Sequence, residues 1–201
     1  MKIKNDLTNL SYMFYLCVSF RDIDGLESLK VKSVNDFSHM FQGCSNLLDI
    51  KSLQSWNVSN GIDFSSMFEG CSLLSDIKAL ENWNLSQSNN SSHFFHGCSL
   101  LKDIELLKNW NVSNCNNFSN MFKKCSQLSN IKPLEKRNVP KCNNFSFMFY
   151  DCSISDVMPL ENWKVQNDKN FNFMFSGCSL NLDFTPLQKW SLSKEKMNLI
   201  K

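Results

Sequence analysis

The sequence predicts an α/β repeat solenoid, a right-handed array of about seven 27-residue units with a parallel β-sheet on one face and short helices on the other. Three observations predict it. Cysteines stand at Cys17, Cys44, Cys71, Cys98, Cys125, Cys152 and Cys178, in steps of 27 residues with a last step of 26. The words around them repeat: MFQGCS at Met40–Ser45, MFEGCS at Met67–Ser72, FFHGCS at Phe94–Ser99, MFKKCS at Met121–Ser126, MFYDCS at Met148–Ser153 and MFSGCS at Met174–Ser179, with a worn copy, MFYLCVS, from Met13. Tryptophans keep the same interval at Trp56, Trp83, Trp110, Trp163 and Trp190, and Arg137 holds the missing place. The short step follows Cys152, where CSISDV is one residue shorter than CSLLSDI.

Within one unit, Phe64, Met67, Phe68, Cys71 and Leu74 are spaced as one face of a short helix. Asp63 or Ser65 stands near its N-terminus and Gly70 near its C-terminal end. Ile77 is apolar between Asp76 and Lys78, Leu80 follows, and Trp83-Asn84-Leu85 alternates with period two, as a strand does. No unit of this size buries both faces alone, whereas units stacked at about 4.8 Å per strand do. Helices need about 8–10 Å between axes, so the array is expected to curve with its strands inside; the alternative is a pure β-solenoid in which the FSxMFxGC segment forms a turn rather than a helix.

The composition fits one continuous domain over residues 1–201, with repeats over about 10–193 and a tail at 194–201. Hydrophobic residues are 42% and charged residues 20%, enough for a core and too apolar for a disordered chain. A formal charge of +2 provides no basic field for nucleic acid. No apolar run approaches the roughly 18–20 residues of a membrane-spanning helix, so no membrane insertion is expected. Asn5, Asp6, Thr8 and Asn9 interrupt the N-terminal segment, so no secretory signal is expected there. At the other end Met197, Leu199 and Ile200 are expected to form a frayed partial turn over the last unit. That thin cover predicts a piece of a longer array or end-to-end self-association.

The words WNVSN at Trp56–Asn60 and Trp110–Asn114, together with MFxGCSxL, resemble the BspA-like leucine-rich repeats, and more narrowly the Mycoplasma-type domain of unknown function. Such repeats read roughly as MFxGCSxLxxLxLSxWxVSxVTxMSxMF. The resemblance covers about residues 10–193 and implies a leucine-rich-repeat-like solenoid on a cell surface, or secreted, adhering to host or partner proteins. The chain departs from the pattern where asparagine-rich words such as NCNNF at Asn114–Phe118 replace VTxM. With no export signal read from the sequence, a cytoplasmic repeat scaffold is the alternative.

Chemistry and packing compete for several columns. One cysteine per unit on an apolar face reads as a stack of small buried hydrophobes, because a linear ladder does not converge as zinc ligands must. Cys115 and Cys142 are additional and 27 residues apart, within reach of a bridge in an oxidising compartment. His93 and His96 flank Phe94-Phe95 beside Cys98, and two histidines at this spacing can share a metal. The same columns hold His39, Ser66, Asn120, Phe147 and Phe173, and Gln42, Glu69, Lys123, Tyr150 and Ser176, so they read as outward positions, and no metal or other cofactor is expected.

Asp22, Asp49, Asp76, Asp103, Asp156 and Asp183 share one register, with Asn130 in the gap. Stacked carboxylates repel. Backbone hydrogen bonds in a turn are the favoured offset; the neighbouring Lys51, Lys78 and Lys132, opposed by Glu105 and Asp24, or a row of cations, are the others. Asn57, Asn84, Asn111 and Asn138 follow the tryptophan place, where asparagine side chains can ladder along the axis and satisfy turn backbones. Sequons at Asn57, Asn84, Asn111, Asn117 and Asn144 follow from Asn/Ser-rich composition. No Ser/His/Asp or Cys/His set stands apart from the repeat, and phosphate-binding glycine loops are absent, so no enzyme is expected. The expected function is a non-enzymatic protein-interaction module. Its candidate binding residues are the outward sheet columns: Asp49, Lys51, Asp76, Lys78, Asp103, Glu105 and Lys132.

Overall fold

The computed structural model describes residues 7–136, 139–166 and 169–201. Seven coils stack in register, linked by isolated parallel bridges that run Asn9, Asp36, Asp63, Asn90, Asn117, Asn144 and Asn170. Each bridge is one residue wide, so among the described residues the predicted sheet is reduced to a single ladder position per coil. Residues 83–85, read as a strand, run unpaired between a 3₁₀ turn and a corner.

The segment predicted as a helix is a ribbon of consecutive turns. In the second coil the N–H groups of Phe37, His39, Phe41 and Gly43 donate to the carbonyls of Asp63, Ser65, Met67 and Glu69 in the third. The intervening N–H groups close local turns, Gln42 on His39 and Cys44 on Phe41. Alternate amides thus bond along the axis, and most of the remainder bond within the coil, which satisfies the obligatory backbone donors without a helix. The ribbon places residues i, i+3, i+4 and i+7 on one side, as a helix does. Phe37, Met40, Phe41, Cys44 and Leu47 are all fully buried.

This path needs left-handed backbone at two positions per coil. His39, Ser66, His93, Asn120, Phe147 and Phe173 occupy the first, with φ between 56° and 59°. Glycine fills the second in four coils, as at Gly70, where a Cβ would lie 3.5 Å from Gly43 Cα. Lys124 and Asp151 stand there in two others at φ 60° and 57°.

The corners are Asx turns. Asp36, Asp63, Asn90, Asn117 and Asn144 each accept from the N–H two residues on, at 2.8–3.2 Å. Asn9 Nδ2 donates to Asp36 Oδ2 and Asn90 Nδ2 to Asp63 Oδ2, side-chain contacts that run along the axis. Asn57, Asn84 and Asn111 instead accept from Ser59, Ser86 and Ser113. Asn138, like Arg137, lies outside the described residues.

A 3₁₀ segment completes each coil: Leu26–Ser28, Lys51–Ser55, Lys78–Leu80, Glu105–Asn109, Lys132–Leu134, Met158–Leu160 and Thr185–Trp190. The tryptophan at its end ties it to the previous coil. Trp56 Nε1 donates to Leu26 O, Trp83 to Leu53 O, Trp110 to Leu80 O, Trp163 to Leu134 O and Trp190 to Leu160 O, at 2.8–3.1 Å. Phe41, Phe68, Phe95, Phe122, Phe149 and Phe175 stack face to face, with centroids 5.5–5.9 Å apart. Ile154, buried in the place of Leu128, absorbs the one-residue deletion after Cys152. A small apolar cavity of about 30 Å³ is lined by Trp110, Leu134 and Trp163.

The C-terminal end differs from the expected frayed turn. Helix α1, Lys194–Leu199, is capped by the Ser193 hydroxyl, which accepts from Lys196 N–H. Leu199 and Ile200 carbonyls accept from Phe173 and Phe175 N–H, and Ile200 is fully buried. The tail therefore supplies part of the acceptor row that an eighth coil would offer. The opposite end is apolar: Tyr12, Met13, Tyr15, Leu16 and Val18 are each 45–55% exposed. Of the N-terminal cover, Ile3 lies outside the described residues.

Candidate functional site

The predicted binding columns lie on the rim where the chain enters each 3₁₀ segment. Asp49, Asp76, Asp103, Asp156 and Asp183 accept from the N–H groups of Lys51, Lys78, Glu105, Met158 and Thr185 at 2.7–2.9 Å, and Asn130 does the same for Lys132. The favoured backbone role of the aspartates therefore holds, with a 3₁₀ helix following where a strand was expected. One carboxylate oxygen is used in the turn, and the other faces outward. Lys51 Nζ meets Asp49 Oδ2 at 2.8 Å, and this hydrogen bond lowers the Asp49 carboxyl and raises the lysine. Lys108 reaches Glu105 at 2.6 Å, which raises its own ammonium. Asp76, Lys78, Asp103 and Glu105 line one shallow groove between the third and fourth coils. Asp49 and Lys51 continue the columns one coil earlier, and Lys132, exposed, one coil later. The seven residues thus form a solvated, mixed-charge rim. Exposed pairs of this kind contribute little to stability and are available to a partner.

The cysteine column is structural, as the spacing indicated, and it is also hydrogen-bonded. Cys44, Cys71, Cys98, Cys125, Cys152 and Cys178 donate their thiols to Phe14, Phe41, Phe68, Phe95, Phe122 and Phe149 carbonyls of the preceding coil at 3.0–3.2 Å. Burial pushes the Cys44 and Cys178 thiols up to about 11, and Cys71, Cys98, Cys125 and Cys152 well above the ordinary thiol range. Thiolates are the nucleophilic form, so these groups are inert in the folded chain. Cys115 and Cys142 are free, and both are raised by burial, Cys142 to about 12.

The histidine columns contain an arrangement that column-by-column reading missed. Glu69 of the third coil meets His96 of the fourth, Oε1 to Nδ1 at 2.9 Å, and His93 Nδ1 lies 3.3 Å from His96 Nδ1. Cys98, beside them in sequence, points inward and is fully buried.

The repeat has a counterpart in a known family. The profile described as "Mycoplasma protein of unknown function, DUF285" matches residues 4–105 and 75–190. The chain belongs to this family. No curated protein matches the DUF285 chain significantly. Among solved structures, an internalin from Listeria monocytogenes is similar at 19% identity and a TM-score of 0.31, over 77% of the DUF285 chain. The alignment spans 42% of that internalin structure.

Proposed function

We propose that the chain is a non-enzymatic, adhesin-like protein-interaction module acting at a cell surface. Its leucine-rich-repeat-like coils, right-handed in sense, would present the rim columns Asp49, Lys51, Asp76, Lys78, Asp103, Glu105 and Lys132 to a host or partner protein. The observation that carries this reading is a division of labour within each coil. The apolar, cysteine and tryptophan columns are used up in packing and axial hydrogen bonds. What varies from coil to coil is the charge beside the Asx turn: Lys51, Lys78, Glu105, Lys132, Met158, Thr185. A fixed frame with a variable exposed column is how repeat arrays build extended binding surfaces. Nine free cysteines favour a second reading, a scaffold in a reducing compartment. Self-association belongs to the same proposal and falls to the apolar N-terminal coil, because α1 covers the other end.

The test separates the surface from the frame. Lys51, Lys78 and Lys132 are changed to Ser and Glu105 to Gln together, leaving every aspartate turn intact. Thermal unfolding should not move, and binding to the partner found by panning extracellular-matrix proteins should weaken at least about tenfold. Equal binding by the variant refutes the assignment of the rim. Protease shaving of intact cells decides location, and a strictly protected pool refutes the surface role.

A further inference from the structure

We propose that Glu69, His93 and His96 form a binding site for one divalent transition-metal ion, zinc by preference, that clamps the third coil to the fourth. All three histidines of the chain lie on one strip of the ribbon, with His39 and His93 in one column and His96 in the next. His93 and His96 share a turn: His96 N–H donates to His93 O at 3.0 Å, which sets both imidazoles on the same side of the coil. Glu69, 27 residues before His96, reaches them from the coil beneath.

The geometry suits a metal. One ligand atom from each residue lies within 4.8 Å of the others. The three separations are 2.9 Å for Glu69 Oε1 to His96 Nδ1, 3.3 Å between the two Nδ1 atoms and 3.8 Å for Glu69 Oε1 to His93 Nδ1. Tetrahedral ligands at about 2.0–2.1 Å from zinc stand about 3.3–3.4 Å apart. The observed triangle brackets that value, so a small movement of each ring accommodates the ion. Two imidazoles and one carboxylate are a donor set zinc takes with an open fourth position.

The surroundings suit it as well. Glu69 Oε2 accepts from Gln42 Nε2 at 3.1 Å, and Gln42 Oε1 meets His39 Nδ1 at 2.6 Å. That chain holds the carboxylate with Oε1 toward the histidines, as an outer shell orients a ligand. Lys123, the next residue in the His96 column, turns to the far side and sits over the Phe147 and Tyr150 rings at 4.9 and 5.1 Å. The Glu69, His93 and His96 side chains are 22%, 35% and 21% exposed, sheltered but open to solvent on one face. Water, or a side chain of a partner, completes the coordination there. Burial lowers the His93 ring, against Glu69 and helped by the charges of His96, Lys123 and His39, so it favours the neutral, ligating form. Burial works against the Glu69 carboxylate, yet hydrogen bonds from His96 and Ser66 and the charges of both histidines bring it down overall. Imidazole nitrogens take up protons as well as metal ions, so metal and protons compete.

Zinc alone, titrated calorimetrically into the purified chain at about pH 7.5, should bind with a stoichiometry of one, and binding should weaken steeply toward about pH 6 as the histidines protonate. Cobalt should give visible bands of low coordination number without the thiolate-to-cobalt charge-transfer band in the near ultraviolet. His96→Ala, His93→Ala and the shape-preserving Glu69→Gln should each lose at least about tenfold in affinity. Circular dichroism of each metal-free variant checks that the coils are intact; Glu69→Gln decides the matter if an alanine variant unfolds. No saturable binding, affinity unchanged in Glu69→Gln and His96→Ala, or a thiolate charge-transfer band overturns the proposal.

Discussion

Replacing Phe122 by Ala removes the ring at the centre of the aromatic stack. Phe122 is fully buried and lies between Phe95, 5.9 Å away and 14° from parallel, and Phe149, 5.7 Å away and 3° from parallel. Its carbonyl also accepts the Cys152 thiol at 3.0 Å. That bond survives the substitution, so the loss is one of packing. A buried Phe→Ala change costs about 3–5 kcal/mol, of which each stacked neighbour accounts for about 0.5–1.5 kcal/mol. Phe14 holds the same column in the first coil, but it is partly exposed and, among the described residues, has a neighbouring coil on one side only, with Phe41 stacked at 5.4 Å. Lower burial and one axial partner set its cost at about 1–2 kcal/mol. Urea unfolding followed by tryptophan fluorescence measures both. In a chain of this size Phe122→Ala should lower the melting temperature by roughly 6–20 °C and Phe14→Ala by roughly 2–8 °C. Equal costs for the two would refute nearest-neighbour stacking as the source of stability, and so would a cost for Phe122→Ala below about 1.5 kcal/mol.

Two further outcomes follow from the columns. Cys44, Cys71, Cys98 and Cys125 are fully buried, and burial raises all four, Cys44 to about 11. Unfolded thiols ionise near pH 8.5, so above that the folded state holds more protons, and stability falls as pH rises from about 8.5 toward 11, by up to about 1.4 kcal/mol per pH unit per thiol. The urea midpoint should drop between about pH 8.5 and 10, and Cys98→Ala with Cys125→Ala should flatten the drop; a profile flat in that window contradicts buried thiols. Arg137→Trp restores the 27-residue interval of the tryptophans in the sequence, so calorimetric melting should show the variant neutral to about 1 kcal/mol more stable, and a clear loss would break the column alignment.

The period, the core columns and the turn role of the aspartates were legible in the sequence, because identical packing environments repeat and select identical residues. The local conformation was not. Phe64, Met67, Phe68, Cys71 and Leu74 have helical spacing, yet a ribbon of turns buries the same positions when two left-handed residues stand four places apart in each coil. The glycines Gly43, Gly70, Gly97 and Gly177 carry that information in sequence, one per coil in the left-handed place. A glycine such as Gly70 fits a helix end equally well, because helix ends also favour left-handed glycine. The Trp83-Asn84-Leu85 alternation came from a corner: Asn84 points out because its oxygen accepts the Ser86 N–H, and Trp83 and Leu85 point in on either side.

The cluster at Glu69, His93 and His96 was hidden for a different reason. Each column was judged along the axis, and along the axis both vary without pattern, which is the mark of an unconstrained outward position. Metal ligation makes no demand along a column. It asks for donors that meet once, here Glu69 and His96 from one column and His93 from the column beside it, so the set of three crosses columns that a comparison of equivalent positions keeps apart. A stacked array places residue i beside residues i+24 and i+27, as Glu69 lies beside His93 and His96. In repeats of this kind periodic identity marks the frame, and chemistry collects where neighbouring coils differ. The search for further sites in such chains is therefore a search for complementary residues at those two offsets.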